Sequence, residues 1–83
     1  MELFRVKAVC FAGLRKYFGS EVELELTTDA TFKQILEELA KSNPDAREVL
    51  DSCRIAVDQK FVSLDSPLNS TNIVFLIPPS SGG

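Results

Sequence analysis

Eighty-three residues with a formal net charge of −3 leave room for one hydrophobic core and little surplus stability, because so short a chain buries only about 60% of the surface its unfolded form exposes. A hydrophobic fraction of 45% and a charged fraction of 25% exclude a disordered chain, and only two cysteines exclude a disulfide scaffold. With no histidine, a Cys/His zinc site and a Cys–His nucleophile pair are excluded as well, so no metal site is expected.

The acidic balance speaks against nucleic acid, whose phosphates demand clustered Lys and Arg; it suits a basic protein partner, or simply solubility. No apolar run approaches the ~20 residues that span a bilayer. Met1-Glu2-Leu3-Phe4-Arg5 lacks the features of a signal peptide. The expectation is a cytoplasmic protein without a membrane partner. Cys10 and Cys53 stand alone in apolar surroundings and read as small core residues.

Leu3 to Phe11 reads as a strand, with Phe4, Val6, Ala8 and Cys10 alternating against Arg5, Lys7, Val9 and Phe11. Ala12 to Ser20 is a connection with Gly13 and Gly19 at turn positions. In the strand Glu21 to Thr27, Val22, Leu24 and Leu26 face one way and Glu21, Glu23 and Glu25 the other. Those carboxylates splay along a solvated face, where Arg5 and Lys7 can lie beside them as cross-strand partners.

Thr31-Phe32-Lys33-Gln34 fits a capping box. Phe32, Ile35, Leu36, Leu39 and Ala40 then make one apolar helical stripe. Asn43-Pro44 ends this helix, and Pro44 begins a second, short one through about Leu50, with Ala46, Val49 and Leu50 inward. Arg54 to Asp58 is a third strand with Ile55 and Val57 inward. A turn at Gln59-Lys60 leads to the extended pair Phe61-Val62. Leu68 is the apolar plug of the bend Asp65-Ser66-Pro67-Leu68, and Asn69-Ser70-Thr71-Asn72 is a polar turn in which asparagine can be left-handed. Ile73 to Ile77 is a continuous apolar strand, which suggests burial on both faces.

These elements describe an α+β domain over residues 1–83, with a helix across one face of a mixed sheet. The first and last strands, the most apolar, are expected to pair centrally. If Val6, Cys10, Val74 and Leu76 face the helix, then Phe11, Phe75 and Ile77 share the open face and Phe61 borders it. An open apolar patch on a small domain marks a partner site.

Residues 78–83, Pro-Pro-Ser-Ser-Gly-Gly, form the tail. Two prolines favour a stiff, extended exit, and glycines remove the side chains that would block a narrow channel. An enzyme that activates a terminal carboxylate needs such a tail. Gly83 is the candidate reacting residue and Gly82 the threading residue. Phe11, Phe61, Phe75, Ile77, Pro78 and Pro79 are the candidate partner-binding residues.

The whole chain resembles the MoaD/ThiS sulfur carriers, and within them the small subunits of molybdopterin synthase. The resemblance is carried by Val9-Cys10-Phe11-Ala12 with Leu14-Arg15 and Gly19, the capped helix from Thr31, Ala56-Val57-Asp58-Gln59 with Val62, Asp65-Ser66-Pro67-Leu68, and the Pro78-to-Gly83 ending. It implies a ubiquitin-like β-grasp fold. It also implies that an E1-like enzyme, using ATP and magnesium, adenylates the Gly83 carboxylate, and that a sulfur donor converts the adenylate to a thiocarboxylate. The charged carrier would then dock on the large synthase subunit, in a heterotetramer, and give sulfur to precursor Z. The small subunit would be a co-substrate, with no bound cofactor and with the catalytic side chains on its partners. The Asp-Gly turn common in such proteins before the last strand is replaced here by Asn69-Ser70-Thr71-Asn72. The alternatives are a carrier for thiamine or transfer-RNA thiolation, a ubiquitin-like protein modifier, and a β-grasp interaction domain without carrier chemistry.

Overall fold

The computed structural model describes residues 3–79. Five strands, β1 (Leu3–Cys10), β2 (Glu21–Thr27), β3 (Arg54–Val57), β4 (Lys60–Phe61) and β5 (Ile73–Ile77), form one sheet in the order β2-β1-β5-β3-β4. The two most apolar strands do lie side by side: β1 and β5 run parallel, with Cys10 opposite Leu76, and the other pairings are antiparallel. Parallel neighbours need a long crossover, and the chain between β1 and β5 supplies the helices that cover the sheet.

Helix α2 (Phe32–Ser42) crosses one face and buries the whole expected stripe, Phe32, Ile35, Leu36, Leu39 and Ala40. Beneath it lie Val6, Ala8, Cys10, Ile55, Val74 and Leu76, all inaccessible to solvent. The N-terminal amides of a helix have no intrahelical acceptors, and here the crossing loop supplies them: Phe32 N–H donates to the Ser66 carbonyl at 3.1 Å and Lys33 N–H to that of Leu64 at 2.9 Å. The capping box is formed, the Gln34 side-chain oxygen accepting from Thr31 N–H at 2.9 Å. Leu68 is fully buried as the loop's plug, and its N–H donates to the Ala30 carbonyl at 2.8 Å. After Asn43 a 3₁₀ turn (Pro44–Ala46) leads into α3 (Arg47–Asp51), which buries Leu50.

Four expectations need correction. Strand β1 ends at Cys10, and the connection after it is partly helical: a 3₁₀ turn (Ala12–Leu14) and helix α1 (Arg15–Phe18) carry Leu14 into the core. The left-handed residues there are Ala12 (φ 52°) and Gly19 (φ 77°), and Gly13 lies within the 3₁₀ turn. The β3–β4 turn is Asp58-Gln59, both with positive φ (51° and 68°), one position earlier than expected. Such a primed two-residue turn matches the strand twist. Finally, β5 is buried on one face only: Val74 and Leu76 are inaccessible, while Ile73 stays 46% exposed and Phe75 and Ile77 are half-buried.

Candidate docking face and tail exit

Strand alternation sends every second residue to the face that α2 does not cover. The register aligns Val9, Phe75, Ala56 and Phe61 across β1, β5, β3 and β4. Phe61 is 59% exposed and Phe11 37%, and the Phe11 and Phe75 rings lie 6.2 Å apart at a tilt of 33°, within the range of favourable aromatic pairs. Ile77, two residues beyond Phe75, stands beside Arg54 in the register. Sequence reasoning therefore placed Phe11, Phe61, Phe75 and Ile77 on one side of the sheet, and the structure brings them there.

The same face changes character toward its β2 edge. Glu23 lies 3.8 Å from the Arg5 guanidinium and Glu21 3.7 Å from the Lys7 ammonium. Each group is substantially exposed, so these pairs contribute only about 0–1 kcal/mol each. Two of the three carboxylates of the row, Glu21 and Glu23, thus have the expected cross-strand partners. Among the described residues no group of three potential metal ligands comes together.

Two arginines that the sequence reading left without a role flank the apolar half. The Arg54 guanidinium lies 5.4 Å from the Phe61 ring centre and that of Arg15 6.0 Å from Phe11. Arg15 is held in place by its Nε, which donates to the Cys10 carbonyl at 3.2 Å. Arg54 was legible from alternation, since it shares a face with Ala56; Arg15 was hidden because its segment was read as a loop.

At the end of β5, Pro78 is buried and Pro79 exposed. The fold thus runs one residue beyond Ile77. Pro78, Pro79, Ala12, Gly13 and Val49 wall a groove of about 370 Å³. Gly82 and Gly83, the candidate reacting residues, lie outside the described residues.

Both cysteines are buried, at 0% and 4% exposure, and neither is in a disulfide. Desolvation pushes both thiols up, Cys53 to about 11, with the neighbouring Cys10 adding to that shift and Arg15 partly offsetting the rise at Cys10. Burial with a raised pKa leaves little of the nucleophilic thiolate at neutral pH and restricts access to it.

The sequence profile of the ThiS family matches residues 9–83. No curated protein sequence matches the chain significantly. Among solved structures, a candidate molybdopterin converting factor subunit 1 from Pyrococcus furiosus is 31% identical, with a TM-score of 0.77 over 90% of this chain and 97% of that one. Small archaeal modifier protein 1 from Haloferax volcanii is 19% identical, with a TM-score of 0.76 over 90% of this chain and 97% of its own. A complex of subunits 1 and 2 of molybdopterin-converting factor from Helicobacter pylori contains a chain 21% identical, with a TM-score of 0.64 over 96% of this chain and all of that one. The architecture is the ubiquitin-like β-grasp.

Proposed function

The chain belongs to the ThiS family, and from that premise we propose that it is a sulfur carrier whose Gly83 carboxylate is the reacting group. The observation that carries this reading is the family match itself, which runs through Gly82-Gly83. The geometry is in accord. Pro78 is anchored in the fold, so the segment 79–83 starts from a fixed point and reaches on the order of 16 Å at ~3.3 Å per residue. The two thiols are buried and hold their protons, which leaves the main-chain carboxylate as the place for sulfur.

A free carboxylate is a poor acyl donor. An E1-like enzyme with ATP and magnesium would join a carboxylate oxygen to the α-phosphorus and release pyrophosphate. A sulfur donor would then attack the acyl carbon, AMP would leave, and Gly83 would carry a thiocarboxylate. The 31% identity to the Pyrococcus furiosus protein supports molybdopterin as the destination: docking on a large synthase subunit and transfer of sulfur to precursor Z. The Helicobacter pylori pair of subunits supports a second subunit as partner, and the patch of Phe11, Phe75 and Phe61 is the surface we assign to it. The reduced, buried cysteines suit a cytoplasmic setting.

The similarity to a small archaeal modifier protein favours a second reading, attachment of Gly83 to lysines of other proteins. One experiment separates the two. Incubation with the cognate E1-like enzyme, ATP, magnesium and sulfide, followed by intact mass, should show one oxygen exchanged for sulfur. Isopeptide adducts in cell extract without that exchange would favour the modifier, and neither product would overturn carrier chemistry.

A further inference from the structure

The composition suggests that an acidic protein should meet a basic partner, but the distribution of charge on the open face points the other way. Of the nine Lys and Arg, Arg5, Lys7, Lys41 and Arg47 form ion pairs with carboxylates among the described residues. The other five, Lys16, Lys33, Lys60, Arg15 and Arg54, form none among them, and what sets the two arginines apart is their place at the apolar patch. Both are exposed, and both lie against phenylalanines of the apolar patch.

Their positions are related by the sheet. Arg54 stands opposite Ile77, the last residue of β5. Arg15 lies over Phe11, which follows Cys10, the partner of Leu76 on the other side of β5. One guanidinium therefore sits on each flank of the strand from which the tail departs.

We propose that Arg54 and Arg15 are carboxylate-binding residues on either side of the tail exit, and that the enzyme surface receiving this tail presents acidic side chains around an apolar centre. The inference rests on the carrier reading, because it identifies the receiving partner as the E1-like enzyme. A guanidinium seated on an aromatic ring keeps its edge N–H groups directed outward and loses little freedom when it meets a carboxylate. The apolar patch between the two arginines supplies the contact area, and the arginines supply register and orientation. Charges at the rim of an interface act chiefly on association rate and its salt dependence. The glutamates of β2 lie at the far edge of the same face, two of them beside Arg5 and Lys7; they would repel an acidic partner that docked over the wrong half.

The test is the association rate of the full chain with the cognate E1-like enzyme, without ATP, at ionic strengths of about 0.01 M and about 0.15 M. The wild-type rate should fall with added salt. Arg54→Gln and Arg15→Gln together should lower the low-salt rate at least tenfold and flatten the salt dependence, with the domain still folded, since the double change removes one part-buried hydrogen bond, from Arg15 to the Cys10 carbonyl. Arg54→Leu, which keeps apolar contact and removes charge, should behave like Arg54→Gln. A double Gln variant with wild-type rate and salt dependence overturns the proposal, and so does a fully active Arg54→Leu. Failure of the carrier reading has a different signature: the wild-type chain would not bind the enzyme, or would bind with normal salt dependence and stay unadenylated when ATP and magnesium are then added.

Discussion

On the side of the sheet beneath α2, Val6, Ala8, Cys10, Val74 and Leu76 are sealed from water; on the other side their strand neighbours Val9, Phe75 and Ile77 keep part of their surface wet. The same strands supply both sets, one residue apart, and similar apolar side chains appear in each. Coverage makes the difference. Under the helix, apolar area holds the domain together. On the open side comparable area is left unspent by folding and is available for a partner. A change on one face should therefore move stability, and the equivalent change on the other should move binding.

The largest effect is expected beneath the helix. Leu76→Ala removes a fully buried side chain and should cost about 2–5 kcal/mol, which in so small a domain is a large share of the total. Chemical denaturation measures it. Phe75→Ala, one residue away, should leave the domain folded and weaken the complex with the large synthase subunit at least tenfold, as truncation of a patch-centre aromatic often costs about 2 kcal/mol or more. Calorimetry reads it directly. Equal effects of the two variants on stability, with binding unchanged in both, would erase the distinction between the faces.

A smaller effect belongs to the hairpin that holds Phe61 on the open side. Gln59 has φ 68°, where a residue with a Cβ pays about 1–2 kcal/mol. Gln59→Gly creates the Asp-Gly pair that such turns prefer and should raise stability by about 1 kcal/mol, with binding unaltered.

The cysteines should matter least. A Cys10→Ala, Cys53→Ala double variant should accept sulfur as the wild type does, read by intact mass, with some loss of stability. In the native protein the raised thiol values carry a sign. As pH climbs past the ordinary 9.0, the unfolded chain loses its Cys53 proton before the folded one, which holds it to about 11. Stability should be flat with respect to this group below pH about 9 and fall between 9 and about 11.

Which parts were legible in the sequence follows from the same contrast. The α2 stripe, the alternation of β2 and the plug at Leu68 were readable because a single periodicity or turn signal specified each. The burial of β5 was not: an uninterrupted run of five apolar residues reads the same whether one face or two is covered, and only the assembled sheet shows that Phe75 and Ile77 stay half-buried on the face away from α2. Leu14 was missed because the glycines around it mark a turn and say nothing of a short helix between them. Ala12, Asp58 and Gln59 adopt left-handed backbone that local preference assigns to glycine or asparagine, so tertiary context decides there. At the candidate site the aromatic patch and the face of Arg54 were legible from alternation, while Arg15 over Phe11 and the anchored Pro78 emerged only from the assembled fold.

The central claim is that the folded domain presents a carboxylate whose position alone determines reactivity, and deletion of Gly83 tests it most directly. The reacting carbon must come within about 3–3.5 Å of its target, and ~1 Å of misplacement can cost 10²-fold; one residue shifts it by ~3.3 Å. The deletion lies five residues beyond the buried Pro78, so melting temperature and docking should stay at their wild-type values. Intact mass after incubation with the E1-like enzyme, ATP, magnesium and sulfide should then show no exchange of oxygen for sulfur in the shortened chain and complete exchange in the wild type. Exchange at the wild-type rate in the shortened chain would contradict the account.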